Sequence, residues 1–554
     1  MKPMLKKALI VLICVAALLL LAAVTLPFLI DADAFRPEIE SAMSESLGKT
    51  VTLGPLSVSP GLGIWIRTDR VEIADPPGGA GPGTTVVAEN VRFKVAALPL
   101  LRGEIEIRTL RFRDGGIRTE DEVLASGLAL KSRLRRTAEG IVLFAGNLSG
   151  RADTLGIPDA SVDFTTRLEG ERLEIESLVA RIGPGRIEGA GHVVGIGQEA
   201  MTADLTARGV VGATRFDGAF LVTILEEITD VEFEVEAPMV DFDELGAIMG
   251  WIEPAPGQTT AARHGSLFPA ARAADLAEPA TAPEKIPVRA RGVLTAERAR
   301  FSGLELTGFR SHVVLDDGTL RFDDAVFDLY GGAHDGRFEV DLEDPGLSYR
   351  LESAIEGVDL NGLVSAWASD TAGLVQGTGA LSLDVAGRAG EEGAEGLARG
   401  TARLDLRDGS LSGEGLMKQL SEALAKYGAE RMEGDRTVFD EIFASFTIGD
   451  RRLRTEDFRL RSPDLDLDGR GAIGFDLAVA MDVTAALSPE VTRNLVAQVP
   501  QLEFRVGQDG RLTAPMKVGG TLAEPVVVLD VQKILEEGLG DSIRDRLKGL
   551  FGGD

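Results

Sequence analysis

Sulfur chemistry is nearly missing from this chain: its 554 residues include one cysteine, Cys14. No disulfide can form within the chain, so no fold stapled by bridges is on offer. Aromatic residues make up 5% of it, with three Trp and three Tyr. Large cores usually lean on such rings, so burial must come from Leu, Val, Ile and Ala. The four histidines, His192, His264, His312 and His334, lack metal-ligand spacing among themselves. Basic residues are also short, 58 against 87 acids, for a net charge of −29. A surface this acidic repels nucleic acid and anionic membrane surfaces as a whole.

What is present begins with an apolar run. Ala8 to Ile30 carries no charged side chain, with Lys2, Lys6 and Lys7 before it and Asp31 and Asp33 after it. A helix needs about 20 apolar residues to cross a bilayer, and lysines mark the cytoplasmic side. The run exceeds the 7–15 apolar residues or so of a signal peptide. Its end, Leu26-Pro27-Phe28-Leu29-Ile30, is a poor cleavage context. The expectation is a single-pass membrane anchor with a cytoplasmic N-terminus and the body on the far side of the membrane, and Cys14 inside the span.

The body alternates apolar and charged residues, the period-2 mark of strands with one wet face. Gly103-Glu104-Ile105-Glu106-Ile107-Arg108 shows it. So do Arg172-Leu173-Glu174-Ile175-Glu176, Val231-Glu232-Phe233-Glu234-Val235-Glu236, Arg337 to Leu342, Phe458 to Arg461, Asp464 to Asp468 and Leu502 to Val506. Asp114-Gly115-Gly116, Asp316-Asp317-Gly318, Asp408-Gly409 and Asp509-Gly510 read as hairpin turns. The pattern predicts a mainly β fold, a long antiparallel meander of roughly 25–30 strands at about 4.8 Å spacing. Short helices are expected over Asp33–Leu47, Phe242–Trp251, Leu360–Trp367, Gly415–Tyr427, Pro489–Val499 and Val531–Phe551. The domain reading is an anchor over 1–30, an N-terminal β part over 31–252 and a Pro- and Ala-rich loop or linker over 253–287. A C-terminal β part over 288–530 and an amphipathic helix over 531–554 complete it.

Motifs for catalysis fail on inspection. Asp464-Leu465-Asp466-Leu467-Asp468-Gly469 opens like a calcium loop, but the twelfth position is Phe475 rather than a bidentate Glu. Gly469-Arg470-Gly471-Ala472-Ile473-Gly474 spells GxGxxG, yet Phe475 to Val479 after it reads as strand where a dinucleotide site needs a helix. Gly48-Lys49-Thr50 lacks the phosphate loop's earlier glycine, which is Met43 here. The expectation is no enzyme, no metal and no cofactor.

So many one-faced strands with so few helices leave two solutions. Either two sheets close on each other as a sandwich, or the sheet curls into a trough lined by apolar side chains. In the trough, Ile105, Ile107, Leu173, Ile175, Phe233 and Val235 line the groove.

The chain resembles the AsmA-like family of bacterial envelope proteins. The resemblance rests on the apolar span running into Asp31-Ala32-Asp33-Ala34-Phe35-Arg36-Pro37, then Val51 to Val58 and Trp65-Ile66-Arg67. It rests equally on Gly400 to Gly409, Phe443-Ala444-Ser445-Phe446, Leu460-Arg461-Ser462-Pro463 and Val518 to Pro525. It implies a single-pass anchor in the bacterial inner membrane and an elongated periplasmic β-groove (a β-taco) that handles phospholipid acyl chains for outer-membrane biogenesis and maintenance. A partner in the outer membrane or envelope would meet its C-terminal end. The alternative is a β-sandwich that binds no lipid and assists assembly of outer-membrane proteins.

Overall fold

A computed structural model describes residues 33, 36–47, 49–59, 64–75, 83–96, 106–119, 123–137, 141–152, 157–183, 185–196, 198, 200–225, 228–248, 288–301, 303–344, 346–367, 373, 375–388, 398–412, 436–498, 500–521 and 525–529. These residues form 26 strands and a few short helices. The expected span Ala8–Ile30, the 253–287 segment, the helices Gly415–Tyr427 and Val531–Phe551, and Ile105 lie outside them. No helix of the described residues is long and apolar enough to cross a membrane.

The chain divides into two compact units, residues 1–236 with 287–292, and residues 237–286 with 293–554. The first unit opens with helix α1 (Arg36–Leu47), β1 (Thr50–Leu53), β2 (Leu56–Ser59) and β3 (Ile64–Ala74). Then come β4 (Thr85–Val95), β5 (Ile107–Arg118), β6 (Val123–Arg136), β7 (Val142–Ala152) and β8 (Ile157–Glu169). It continues through β9 (Arg172–Ile182), β10 (Gly185–Val194), β11 (Met201–Val211), β12 (Thr214–Ile224) and most of β13 (Thr229–Asp241). From β3 to β12 each strand pairs antiparallel with the next in sequence. β1 and β2 share the free edge of β3, pairing with its two ends. Helix α1 is tied to that edge by three bonds from strand amides to its side of the chain. Ser44 Oγ accepts from Val51 N at 3.0 Å, Glu40 Oε1 from Leu53 N at 2.7 Å, and Asp33 Oδ1 from Leu56 N at 2.9 Å.

The second unit follows the same rule with more helix. Its elements are α2 (Phe242–Ile248), most of β14 (Val288–Phe301), β15 (Leu304–Asp316), β16 (Thr319–Leu329), β17 (Gly332–Asp341), β18 (Ser348–Asp359) and α3 (Leu360–Trp367). Then come β19 (Val375–Arg388), β20 (Arg399–Ser412), β21 (Arg436–Gly449), β22 (Arg452–Arg461), β23 (Leu465–Gly474) and β24 (Val479–Leu487). Last are α4 (Pro489–Gln498), a 3₁₀ helix (Pro500–Arg505), β25 (Thr513–Gly520) and β26 (Pro525–Leu529). Three of its helices start where a strand stops, because an oxygen there caps the first turn. Asp241 accepts from Glu244 N at 2.9 Å, Asp359 from Asn361 and Gly362 N at 3.2 Å, and Ser488 from Val491 N at 3.4 Å.

Four local expectations are corrected. Asp114-Gly115-Gly116 and Asp408-Gly409 are not turns; they lie inside β5 and β20. Asp114 and Asp408 take φ of 59° and 48°, and the register slips beside each, so both are β-bulges. Leu502 to Val506 is not a strand, since Pro500–Arg505 winds as 3₁₀ helix and Val506 N bonds back to Glu503 O at 3.0 Å. Phe475 to Leu477 forms a turn, with Leu477 at φ 65°, before β24 begins at Val479. The turns at Asp317-Gly318 and Asp509-Gly510 are present as expected.

Candidate functional site

In the first unit, strand register decides which side chains share a face. Leu173 pairs with Val193, which pairs with Ala203, which pairs with Val222. The next row runs Ile175, Gly191, Leu205 and Phe220, and the one after it Leu178, Gly189, Ala207 and Gly218. Across β8 and β7 the rows continue through Phe164 and Gly146, and through Thr166 and Phe144. Phe144 and Phe164 meet with ring centroids 4.9 Å apart, and Phe220 and Phe233 stack at 6.5 Å. The result is an apolar floor whose members come from many strands and touch through register alone.

Glycines keep that floor low. A Cβ on Gly218 would sit 2.9 Å from the Phe220 ring and 3.0 Å from Val235 Cγ2. One on Gly209 would sit 2.6 Å from the Phe216 ring. The rings therefore lie over bare backbone, where any side chain would lift them.

The floor is not closed. Along β6 to β12 only Leu130, Ala180 and Ala203 are fully buried apolar residues among those described. Leu173, Ile175, Phe233 and Val235 are half-buried, and Ile107 is 39% exposed. The structure thus brings Leu173 and Ile175 onto one floor with Phe220 and Phe233, while Ile107 stands apart on β5 beside Val95. The one helix among this unit's described residues, α1, packs on β1. An apolar face half in water is what sequence alternation could not distinguish from a core.

The second unit makes the contrast. Its apolar faces close: Phe439 and Leu465 are 0% exposed, Met516 and Ala485 1%. Val385, Ala398, Ala402, Ile448 and Phe475 form one buried cluster with Tyr349 and Phe446 packed against it. Phe242, the first residue of α2, sets its ring edge-on to those of Phe301, Phe309 and Phe322 at 6.4, 5.4 and 6.1 Å. Helix α3 lies on β15, β18 and β19. Here helices do the covering that the described part of the first unit lacks over its floor.

The opposite face of the first unit is a lattice of ion pairs. Asp163 accepts from Arg181 at 2.6 Å and from Asn147 at 2.8 Å, and the two hold its carboxyl below the usual range. Glu188 lies between Arg186 at 2.6 Å and Arg208 at 3.2 Å, which lower it likewise. These exposed pairs set the wet side of the sheet rather than a reaction centre.

Candidate chemistry elsewhere is thin. Two acids of the calcium-like stretch are engaged: Asp466 pairs with Arg511, and Asp468 with Arg461 at 2.6 Å. The GxGxxG stretch is strand β23 throughout, with Gly469 and Gly471 packed against β24, where a Cβ on Gly469 would sit 2.5 Å from Val483 Cγ1. Among the described residues no three His, Cys, Asp or Glu side chains converge as a metal site. A recess of about 360 Å³ in the second unit is lined by Asp450, Arg452, Phe475, Asp476 and Ala480 around the turns that join β21 to β22 and β23 to β24.

Compared with known proteins, residues 1–119 and 151–458 match the model of the AsmA family. No curated protein matches the chain.

Proposed function

The chain belongs to the AsmA family, and from that membership we propose that it is a non-enzymatic envelope protein handling phospholipid. The carrying observation is the half-open apolar floor of β6 to β13. Acyl chains lie on Leu173, Ile175, Phe220 and Phe233 while head groups stay in water. Each methylene kept from water contributes about 0.8 kcal/mol, so a chain sliding along the floor keeps its contacting side out of water at each step. The uncharged run Ala8–Ile30 anchors the body to the inner membrane, with the floor on the periplasmic side. The cargo supplies the outer membrane, whose envelope proteins are the partners at the far end. Nothing in this mechanism calls for a metal, a cofactor or a nucleotide, so direction comes from a partner.

The rival sandwich reading, an assembly factor with a filled core, draws its support from the closed faces of the second unit. Photo-crosslinking separates the two. A benzophenone side chain at Ile175 or Phe233 should capture phospholipid in cells. The same group at Glu174 or Glu234, one residue along and on the other face, should not. Capture of no lipid from either face would sink the groove reading.

A further inference from the structure

On the wet face of the first unit, Arg67 pairs in register with Arg92, Arg92 with Arg111, and Arg111 with Lys131. Four adjacent strands, β3 to β6, thus place four cations in one row, neighbours about 4.8 Å apart. The next row holds Trp65, Lys94, Thr109 and Arg133. Lys94 Nζ stands 6.0 Å from the centre of the Trp65 ring and the Arg111 guanidinium 5.7 Å. Arg67, Arg92, Arg111, Lys131 and Arg133 are exposed. Among the described residues none of these six cations makes an ion pair. The acids on the border are Asp69, Glu89 and Glu106, of which Glu106 pairs with Arg108 at 3.4 Å.

Like charges directly opposite each other on a sheet are destabilising. A few strands on, the same face resolves this with carboxylates, Asp163 for Arg181 and Glu188 for Arg186 and Arg208. In β3 to β6 it does not, in a chain of net charge −29. The missing counter-charge must come from outside. The position says which. Asp33, three residues past the apolar run, bonds to Leu56 of β2, and Ser57 of β2 pairs with Arg67. The cations therefore begin one strand away from where the chain leaves that run. A Trp flanked by cations is the side-chain set that favours the level of lipid head groups.

We infer that the Arg67–Arg92–Arg111–Lys131 row, with Trp65, Lys94 and Arg133, docks on the anionic head groups of the membrane that holds the anchor. This rests on the anchored reading above. Docking would fix the sheet against the bilayer at its N-terminal strands, so that the body does not swing freely on its tether. It also reverses locally the repulsion expected from the overall charge.

The test uses the full chain in lipid nanodiscs, with Trp251→Phe and Trp367→Phe so that Trp65 is the only indole. Discs containing phosphatidylglycerol and a lipid spin-labelled on its head group should quench Trp65 strongly. Purely zwitterionic discs should not. Quenching should vanish near 1 M salt, where the Debye length is about 3 Å. Arg92→Glu with Arg111→Glu and Lys131→Glu should abolish it, while the corresponding Arg→Lys variant keeps it. Inorganic phosphate should compete only through ionic strength. Release by phosphate at constant ionic strength, or cross-linking of the row to an acidic protein in place of lipid, would overturn the proposal. So would equal quenching in zwitterionic discs. Two readouts keep the premises apart: incorporation into discs reports the anchor, and lipid capture at Ile175 reports the floor. Loss of quenching with both intact is the expected signature of the charge-reversed chain.

Discussion

The imidazole of His334 lies 3.9 Å from the ring of Phe327 and within 7° of parallel to it. Its Nδ1 faces the carbonyl of Ala325 at 3.0 Å, which can only accept, so Nδ1 carries the proton. Its Nε2 then accepts from the Ser353 hydroxyl at 2.9 Å. Burial pushes its pKa below the ordinary 6.5, against the opposing pull of the Ala325 carbonyl and of Asp335. A neutral ring, stacked and with both nitrogens satisfied, completes the apolar face between β16 and β18.

That arrangement gives the second unit a pH dependence with a fixed sign. The folded value is depressed, so the unfolded chain binds the proton more readily. The contribution is fully present above pH 6.5 and is lost as pH falls from there toward the folded value. Urea midpoints should fall between pH 7 and 5 in the wild type, and less steeply in His334→Gln. Parallel slopes would show that His334 is not the group responsible.

Truncation should tell the two units apart. Phe439 is 0% exposed, and Phe439→Ala should cost about 3–5 kcal/mol, the usual loss for a filled site. Phe233 is half-buried on the open floor, and Phe233→Ala should cost under about 2 kcal/mol. Hydrogen exchange resolved by strand reads both values in the intact chain.

Charge on the floor should be tolerated where water reaches it. Leu173→Glu, Ile175→Glu, Phe233→Glu, Val235→Glu and Ile107→Glu should fold, and all but the last should lose bound phospholipid. Leu465→Glu, at a site with 0% exposure, should unfold its unit because a buried lone charge costs several kcal/mol. Circular dichroism and lipid analysis of the same preparations decide it. Unfolding of the floor variants one after another would mean a closed core.

The bulge at Asp408-Gly409 should resist substitution. A Cβ on Gly409 would strike the Phe439 ring and the carbonyl of Gln376. Gly409→Val should destabilise by about 1–3 kcal/mol through overpacking. Gly116→Ala, whose nearest contact is the Ala125 carbonyl at 3.4 Å, should cost less, as thermal melts can compare.

Period-2 alternation made the strands legible, because a strand with one wet face must write its two faces into alternate residues. Arg172 to Glu176 and Val231 to Glu236 are strands for that reason. The short helix expected over Leu360–Trp367 was legible too. Asp-Gly was ambiguous because positive φ serves a turn and a bulge alike, and only the partner strand distinguishes them. Leu502 to Val506 was too short for its alternation to outweigh the helix and proline before it. The openness of the floor was hidden, since half-buried Leu173 and fully buried Leu465 occupy the same phase of the same pattern. The cationic row was hidden as well: Arg67, Arg92, Arg111 and Lys131 are scattered over some sixty-five positions of sequence and become neighbours only through register.

Neighbour-to-neighbour pairing bears on how such a chain can be made. From β3 to β12 no strand waits for a partner encoded far downstream. The loops to be closed are short, so the entropy of closure stays small and contact order low. A chain delivered end-first can therefore add one hairpin at a time onto an edge already formed, starting from the strands tied to α1. The same arithmetic lets length change without redesign. Insertion or deletion of one hairpin widens or narrows the first unit's sheet by about 10 Å and leaves every other register intact, so its width can be set by copy number of strands rather than by a new fold.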